Sequence, residues 1–210
     1  MLYEILDRKR KTLLPLFKAF KEEFYLAGGT ALALQIGHRD SIDFDFFCEK
    51  DFDPQALLKK IKDIFQVHKV TRIQEERNTL TILVNGEVRI SFFTYNYPLL
   101  QNKVEEKYFN MASIRDIALM KMSAILSRAS NKDYIDLYFI LQDYDLADLI
   151  SDIPDKFGDL DANMVLKSLV YFNDVETEPI LFLPGQGVDF EIVKEFLVAK
   201  IREIGSSQLA

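Results

Sequence analysis

The stretch FYLAGGTALALQIGHRDSIDFDFFC, residues 24–48, determines the predicted fold. It begins with a short apolar run, turns at two glycines, continues with apolar residues to Gly37, and ends in an alternation of apolar and acidic residues. An alternation with a period of two is typical of a β-strand, and glycine often ends a helix. The order predicts a strand over 24–27, a helix over 31–36 that Thr30 caps, and a strand over 41–48.

The second strand carries two acids, Asp43 and Asp45, two positions apart. Residues two apart in a strand point to the same face, so we expect both carboxylates to project together. Two like charges beside a core residue such as Phe44 are unfavourable unless a cation neutralises them, and Mg²⁺ prefers oxygen ligands of this kind. The alternative is a pair of exposed acids on an edge strand, which is the better interpretation of an isolated Asp-x-Asp.

The residues upstream of the acids favour the metal site over the pair of exposed acids. Gly28-Gly29-Thr30 lies at a strand-to-helix turn, where backbone N–H groups and the positive end of a helix can bind a phosphate. Glycine also lets the backbone approach a ligand closely, although any tight turn of this type can use it. Next to an acidic strand, the turn predicts a nucleoside triphosphate site with a phosphate cradle and a metal clamp. Arg39 is a candidate phosphate contact, with a surface loop position as an equal alternative.

The rest of the chain predicts a mixed sheet followed by helices, which is an α+β fold. Asp53-Pro54 is a helix-start signal, and Asn85-Gly86 is a hairpin turn signal. We predict a sheet core over 1–110 and a helical region over 111–210 packed on it. The predicted helices cover 2–23 with a kink or restart at Pro15, 55–65, 113–129, 132–142, 161–172 and 190–204; the strands cover 67–75, 79–84 and 88–95, and 174–188 is a loop.

Two predicted helices in the second half carry charges among apolar residues. Lys121 is the lone charge in the middle of its helix, and Arg128 falls on the same side seven residues later. Such a lysine either reaches solvent or faces an anion, and the acidic strand makes contact with a triphosphate the better interpretation. Asp133 and Asp136 share one side of the next helix. Asp133 is also favourable in a first helical turn, and Asp136 is expected to have a buried partner, either Arg128 or Lys121.

Two blocks of sequence resemble the AbiEii/AbiGii toxin-type nucleotidyltransferases, which belong to the DNA polymerase β-like nucleotidyltransferase superfamily. The first block joins LAGGTALAL (26–34) to HRDSIDFDFF (38–47), and the second joins DIALMK (116–121) to Arg128 and KDYIDLY (132–138). Together they span residues 25–143. The C-terminal third carries no motif of that family that we can identify.

The resemblance implies a nucleotidyltransferase-like fold and a metal-dependent enzyme. It would move a nucleoside monophosphate from an NTP to a hydroxyl of an RNA, a protein or a small molecule, with Mg²⁺ or Mn²⁺ as cofactor. It would be the toxin of a toxin–antitoxin system, with an antitoxin protein as a partner. The implied residues are Asp43 and Asp45 for metal and catalysis, Gly28, Gly29, Thr30, Arg39, Ser41, Lys121 and Arg128 for the nucleotide and its phosphates, and Lys121 with one of Asp133 and Asp136 for catalysis.

One position departs from the superfamily pattern. Polymerase β-like enzymes commonly place a third carboxylate on a neighbouring strand, and the aligned position here is Ser91. Glu87 has the same facing parity but lies four residues away, about 13 Å at strand rise. A serine is no general base at neutral pH without help. Either Asp133 or Asp136 supplies the role, or the chain is a degenerate module that binds a nucleotide or a partner without turnover; an aminoglycoside-type transferase is a third alternative.

Composition excludes several other classes of protein. A net charge of −7 and a pI near 5.0 argue against binding duplex DNA, although they are compatible with a cationic acceptor. The longest apolar runs are too short to span a membrane, and the charged N-terminus is unlike a secretory signal. A single cysteine, Cys48, forms no internal disulfide and is expected to be a buried thiol. His38 and His68 lack partners for zinc. The expected location is the cytoplasm.

Overall fold

The computed structural model describes residues 1–207. The chain forms two compact units, Met1–Ser113 (the N-terminal unit) and a second that starts at Ile114 (the C-terminal unit). The strands are β1 (Tyr25–Ala27), β2 (Phe44–Cys48), β3 (Val70–Glu76), β4 (Thr79–Val84), β5 (Val88–Thr94), β6 (Val104–Glu105) and β7 (Asn110–Met111). The helices are α1 (Arg8–Phe17), α2 (Gly28–Ile36), α3 (Pro54–Ile64), α4 (Ile114–Arg128), α5 (Asn131–Ile140), α6 (Leu146–Ser151), α7 (Ile153–Phe157), α8 (Ala162–Ser168) and α9 (Phe190–Ser207).

The N-terminal unit is built on a mixed sheet with strand order β3-β4-β5-β2-β1-β7-β6. β2 is central: it pairs antiparallel with β1 and parallel with β5. Its side chains alternate as predicted, with Phe44, Phe46 and Cys48 buried and Asp45 half-buried on the opposite face. The buried rings join the main core, where the Phe46 ring stacks on Phe92 at 5.3 Å. The predicted α+β class with a mixed sheet core is therefore confirmed.

The acidic strand is shorter than predicted. β2 starts at Phe44 instead of residue 41, and Asp43 lies directly before it. Residues 40–43 form an irregular loop because side chains from other elements bond to their backbone carbonyls. Arg10 donates to the carbonyl of Ser41, and the Thr30 hydroxyl contacts the carbonyls of Ser41 and Asp43. These contacts replace the regular hydrogen bonds of a strand ladder.

The predicted cap of α2 is wrong. The helix starts at Gly28, and its N-cap is Ala27, which makes no side-chain cap hydrogen bond. Gly28 has φ +70°, a backbone conformation that glycine adopts without strain and that lets the helix follow β1 immediately. Thr30 therefore lies inside the first turn, and its hydroxyl bonds to the following loop instead of to the helix. The end of the helix is as predicted, with Gly37 in the left-handed conformation at φ 66°.

Other local signals of the N-terminal unit are confirmed in part. Asp53 caps α3 by accepting a hydrogen bond from the backbone N–H of Gln55. Asn85 and Gly86 have positive φ angles of 53° and 78° and join β4 to β5. The predicted helix over 2–23 is interrupted: α1 is flanked by short 3₁₀ turns, and Pro15 lies inside it without ending it.

The C-terminal unit is helical, as predicted. α4 and α5 form its centre, and α8 packs on α4 while α9 packs on α5. The sequence did not reveal α6 and α7, because helices of six and five residues are too short to show a helical period. The helix predicted over 161–172 covers only Ala162–Ser168. Within residues 1–207, none of the helices is both long and apolar enough to cross a membrane.

Candidate active site

The glycine turn lies directly against the acidic strand. Ala27, the last residue of β1, pairs with Asp45 of β2 across the antiparallel ladder. Gly28 follows, and a Cβ atom at this position would lie 3.3 Å from Oδ2 of Asp45. A larger side chain would therefore press on the carboxylate as well as strain the positive φ. The backbone of the turn and the carboxylate of Asp45 are thus close neighbours.

Because Gly29 has no Cβ atom, the side chains of two other predicted site residues can lie close to it. A Cβ atom here would lie 2.7 Å from Nη2 of Arg39 and 2.8 Å from the hydroxyl oxygen of Ser41. Arg39 is only 4% exposed, so the alternative of a surface loop arginine is wrong. Its Nη1 donates to the carbonyl of Asp40 at 3.0 Å. The structure therefore brings the glycine turn, Arg39 and Ser41 together.

Thr30 fastens the turn to the loop before β2. Its hydroxyl oxygen lies 3.0 Å from both the carbonyl oxygen and the hydroxyl oxygen of Ser41, and it contacts the carbonyl of Asp43. Thr30 is buried, so these contacts form away from water. A buried hydroxyl without partners would be costly, and this geometry satisfies it. Thr30 therefore fixes where Ser41 and Asp43 lie.

The two acids offer oxygen ligands at the start of β2. Asp43 and Asp45 are both half-buried. Carboxylates with access to solvent can take a divalent cation, and Mg²⁺ usually keeps waters and substrate phosphate oxygens beside one or two of them. Over residues 1–207, no three His, Cys, Asp or Glu side chains come together as a metal site. Asp43 and Asp45 could supply two such oxygen ligands, with substrate and water completing the coordination.

Ser91 occupies the strand position next to Asp45. The two residues are direct partners in the parallel pairing of β2 and β5, and Thr81 of β4 is the partner of Ser91 on its other side. Ser91 is buried, and the Thr81 hydroxyl donates to its hydroxyl oxygen at 3.4 Å. Glu87 precedes β5 and forms an exposed ion pair with Lys9 at 2.6 Å. The third position beside Asp45 is therefore a hydroxyl, and Glu87 does not replace it.

The C-terminal unit joins its four predicted site residues in one ion-pair network. Nζ of Lys121 lies 2.8 Å from Oδ1 of Asp133 and 2.5 Å from Oδ2 of Asp136. Nε of Arg128 lies 3.0 Å from Oδ2 of Asp133. Both aspartates are fully buried, whereas the Arg128 side chain is 65% exposed. Of the two partners predicted for Asp136, the network contains Lys121.

The network keeps Asp133 ionised. Burial raises the pKa of Asp133, but the charge of Lys121 and the hydrogen bond and charge of Arg128 outweigh it, so that the pKa is lowered overall. An aspartate with a lowered pKa is a weak proton acceptor at neutral pH. Its contacts to two cations instead suit it to orient them.

Sequence reasoning missed two polar residues that hold these regions in place. Arg10 of α1 is buried and bonds to Asp40 and Ser41. Lys156 of α7 is fully buried and lies 2.8 Å from the equally buried Asp116 of α4. Each lies in a segment where polar residues are common, and only burial distinguishes them. The buried thiol of Cys48 was expected; burial raises its pKa.

Comparisons with known proteins identify the family of the chain. The family model described as nucleotidyl transferase AbiEii toxin, type IV TA system, matches residues 16–191. An uncharacterized protein of Aquifex aeolicus (strain VF5) is 38% identical over 187 residues, which cover 86% of this chain and 87% of that protein.

Two solved structures share the fold. A Helicobacter pylori protein described as a candidate nucleotidyltransferase matches with a TM-score of 0.60 and 20% identity, over 95% of this chain and 93% of that one. MenT4, a nucleotidyltransferase toxin of Mycobacterium tuberculosis, matches with a TM-score of 0.58 and 14% identity, over 91% and 82% of the two chains. With the family model covering most of the sequence, the chain belongs to the AbiEii family of nucleotidyl transferase toxins of type IV toxin–antitoxin systems.

Proposed function

We propose that this chain transfers a nucleoside monophosphate from an NTP to a hydroxyl acceptor, with Mg²⁺ or Mn²⁺, at the site formed by the glycine turn and the acids of β2. The observation that carries the proposal is the short distance between Gly28 and Asp45: a Cβ atom at Gly28 would lie 3.3 Å from the carboxylate. A phosphate bound by the turn would therefore lie beside a metal-binding carboxylate, which is the arrangement that phosphoryl transfer needs.

The residues of the N-terminal unit divide the work of binding the donor. Backbone N–H groups of Gly28 and Gly29 hold the triphosphate, and Arg39 and Ser41 contact it from the loop. Asp43 and Asp45 would hold the metal ion, which would neutralise charge on the phosphates. Thr30 keeps loop and turn together through its contacts with Ser41 and Asp43.

In the reaction, the oxygen of the acceptor hydroxyl forms a bond to the α-phosphorus. The bond between that phosphorus and the bridging oxygen of pyrophosphate breaks, pyrophosphate leaves, and the hydroxyl proton passes to solvent. The chain contributes mainly position and charge, because this displacement needs little covalent chemistry from a protein.

In the C-terminal unit, we assign different parts to the four charged residues. Arg128 presents a largely exposed guanidinium and is the candidate contact for a phosphate. Lys121 is buried with Asp133 and Asp136, and in this proposal the three keep Arg128 and the helix pair in place. Asp133 and Asp136 are both fully buried, so in this proposal either acts on catalysis only through Lys121 and Arg128.

Transfer to RNA, protein or a small molecule can be distinguished in one assay. Protein is incubated with each NTP labelled at the α-phosphate, with Mg²⁺ or Mn²⁺, and with separated RNA, protein and small-molecule fractions of a bacterial lysate. The label is expected in one fraction. Asp43→Asn and Asp45→Asn should abolish it, whereas Asp63→Asn, which changes an exposed acid of α3, should not. Transfer that persists in both site variants would refute the metal site.

A second candidate function is favoured by one observation, the serine opposite Asp45. In that case the chain binds an NTP with metal but does not turn it over. The wild type would then transfer no label while retaining metal-dependent NTP binding, and Ser91→Asp would restore transfer. If the wild type is active and the Ser91→Asp variant is slower than it, the serine belongs to a working site.

Growth arrest on expression, relieved by a co-expressed antitoxin, tests the proposed role as a toxin with an antitoxin partner.

A further inference from the structure

Arg10 in α1 is a buried cation that reaches the loop before the acidic strand. Its side chain is 4% exposed. Nη1 donates to Oδ1 of Asp40 at 2.8 Å and to the carbonyl oxygen of Ser41 at 2.7 Å, and Nη2 donates to Oδ2 of Asp40 at 3.3 Å. Nε donates to Oδ2 of Asp7 at 3.1 Å, and Asp7 also caps the start of α1. The whole guanidinium fork is therefore engaged, with its orientation fixed from α1.

The carbonyl of Ser41 links Arg10 to the glycine turn. It accepts from Nη1 of Arg10 at 2.7 Å and lies 3.0 Å from the hydroxyl oxygen of Thr30. Thr30 belongs to the first turn of α2, and the Ser41 hydroxyl borders the space left by Gly29. One backbone carbonyl thus joins α1, α2 and the loop.

The loop has no secondary structure of its own to hold it. Residues 40–43 are neither helix nor strand, and β2 begins only at Phe44. An irregular segment keeps one conformation only if contacts from outside determine it. Arg10 and Thr30 supply such contacts from two sides, and Asp43 is the last residue that they constrain.

A simple stabilising ion pair would not require an arginine. A buried pair is weak evidence for a contribution to stability, and lysine would neutralise Asp40 as well. Lysine cannot reproduce a planar fork that binds a carboxylate with two nitrogens and a carbonyl with one of them. The geometry points to orientation of the loop as the purpose of the residue.

We propose that Arg10 is a positioning residue, which fixes the loop 40–43 so that Ser41 and Asp43 are aligned for the triphosphate and its metal ion. The inference rests on the proposed function. Arg10 acts through these residues and through Asp40, and it touches no substrate in this proposal.

The test compares Arg10→Lys with Arg8→Lys, a matched change at an exposed position of the same helix. For each variant the melting temperature, the kcat and KM for label transfer, and the metal concentration at half-maximal rate are measured. We expect R10K to lower kcat about 10- to 100-fold, because small misplacements of reacting groups have effects of this size. R10K should also need more metal, whereas R8K should match the wild type.

A merely structural role would lower the melting temperature and leave kcat and the metal requirement of the folded protein unchanged, which would overturn the proposal. If R10K does not fold, Asp40→Asn takes its place. This variant removes the negative charge that faces the guanidinium of Arg10 and keeps the contact of Arg10 with Ser41. D40N is expected to shift kcat and the metal requirement in the same direction, by a smaller factor, and unchanged values would overturn the proposal.

The two proposals can fail separately. If the wild type transfers no label, metal-dependent NTP binding by calorimetry becomes the measurement. Weaker binding by R10K than by R8K then supports the positioning role without turnover, and equal binding overturns it. A wild type that binds no NTP would overturn both.

Discussion

The two units of the molecule hold their charged residues in different ways. In the C-terminal unit, Lys121, Asp133 and Asp136 form ion pairs that are almost completely buried. In the N-terminal unit, Asp43 and Asp45 are half-buried, and the backbone at Gly28 lies close to the carboxylate of Asp45. Buried pairs must stay intact for the fold, whereas a half-exposed acid beside a glycine turn can accept a ligand. Changes in the buried network of Lys121, Asp133 and Asp136 should therefore act on stability, and changes at the turn should act on activity.

The largest expected effect is that of Asp133→Ala on stability. The change leaves Lys121 buried without one of its carboxylates and removes the partner of Arg128 in this network. Removing one partner of a buried ion pair typically costs about 3–5 kcal/mol. Denaturant unfolding should show a loss of this size, while Asp143→Ala, at an exposed site just after α5, should change little. A loss below about 1 kcal/mol would contradict the contrast between the units.

Gly29→Ala, unlike Asp133→Ala, should lower activity and have little effect on stability. Its Cβ would lie 2.7 Å from Arg39 and 2.8 Å from Ser41, so these side chains would have to move. We expect kcat/KM for the NTP to fall about 100-fold, which corresponds to about 2.7 kcal/mol of lost transition-state binding. The melting temperature should change by only a few degrees.

Gly187→Ala is the matched control, because no atom lies within 4 Å of a Cβ at that position. Transfer kinetics of both variants would be compared with the wild type. If Gly29→Ala leaves the kinetics unchanged, the turn is not the part that receives the triphosphate.

The pH dependence of stability offers a smaller test of the buried network. The folded-state pKa of Asp133 is lowered, so its stabilising contribution is present above its unfolded pKa of about 3.9 and is lost as the pH falls through the folded value. The free energy of unfolding should decrease below about pH 4. In Asp133→Asn this part of the decrease should disappear, which a series of denaturation curves can measure. An identical acid dependence in both proteins would contradict the ionised state of Asp133.

The same contrast explains what the sequence could predict. The alternation in β2 and the two glycines are local patterns, and they predicted the position of the turn beside Asp45. The helical spacing of Asp133 and Asp136 likewise predicted that they share one side of a helix, and both contact Lys121. The loop 40–43 could not be predicted, because Arg10 constrains it from 30 positions away in the sequence. The pair of Lys156 and Asp116 is separated by 40 positions and gives no local signal either.

The smallest expected effect tests whether burial, and not location, makes a charge important. Glu178 pairs with Lys132, next to Asp133 in sequence, yet the two side chains are 51% and 36% exposed. Lys132 donates to this carboxylate and lowers its pKa. Exposed ion pairs contribute between zero and about 1 kcal/mol, so Glu178→Gln should change the free energy of unfolding by less than that.

Asn131 provides the comparison at the same place. It is buried, and its side-chain amide donates to the carbonyl of Glu178 at 2.9 Å while its oxygen accepts from the backbone N–H of Glu178 at 3.1 Å. Asn131→Ala would leave both backbone groups without these bonds, at a cost of about 1–3 kcal/mol. The glutamine variant keeps them, because they involve only the backbone of residue 178. An equal loss of stability in the two variants would show that the exposed charge contributes as much as the buried amide. Burial would then not explain why the two units are expected to respond differently to substitution.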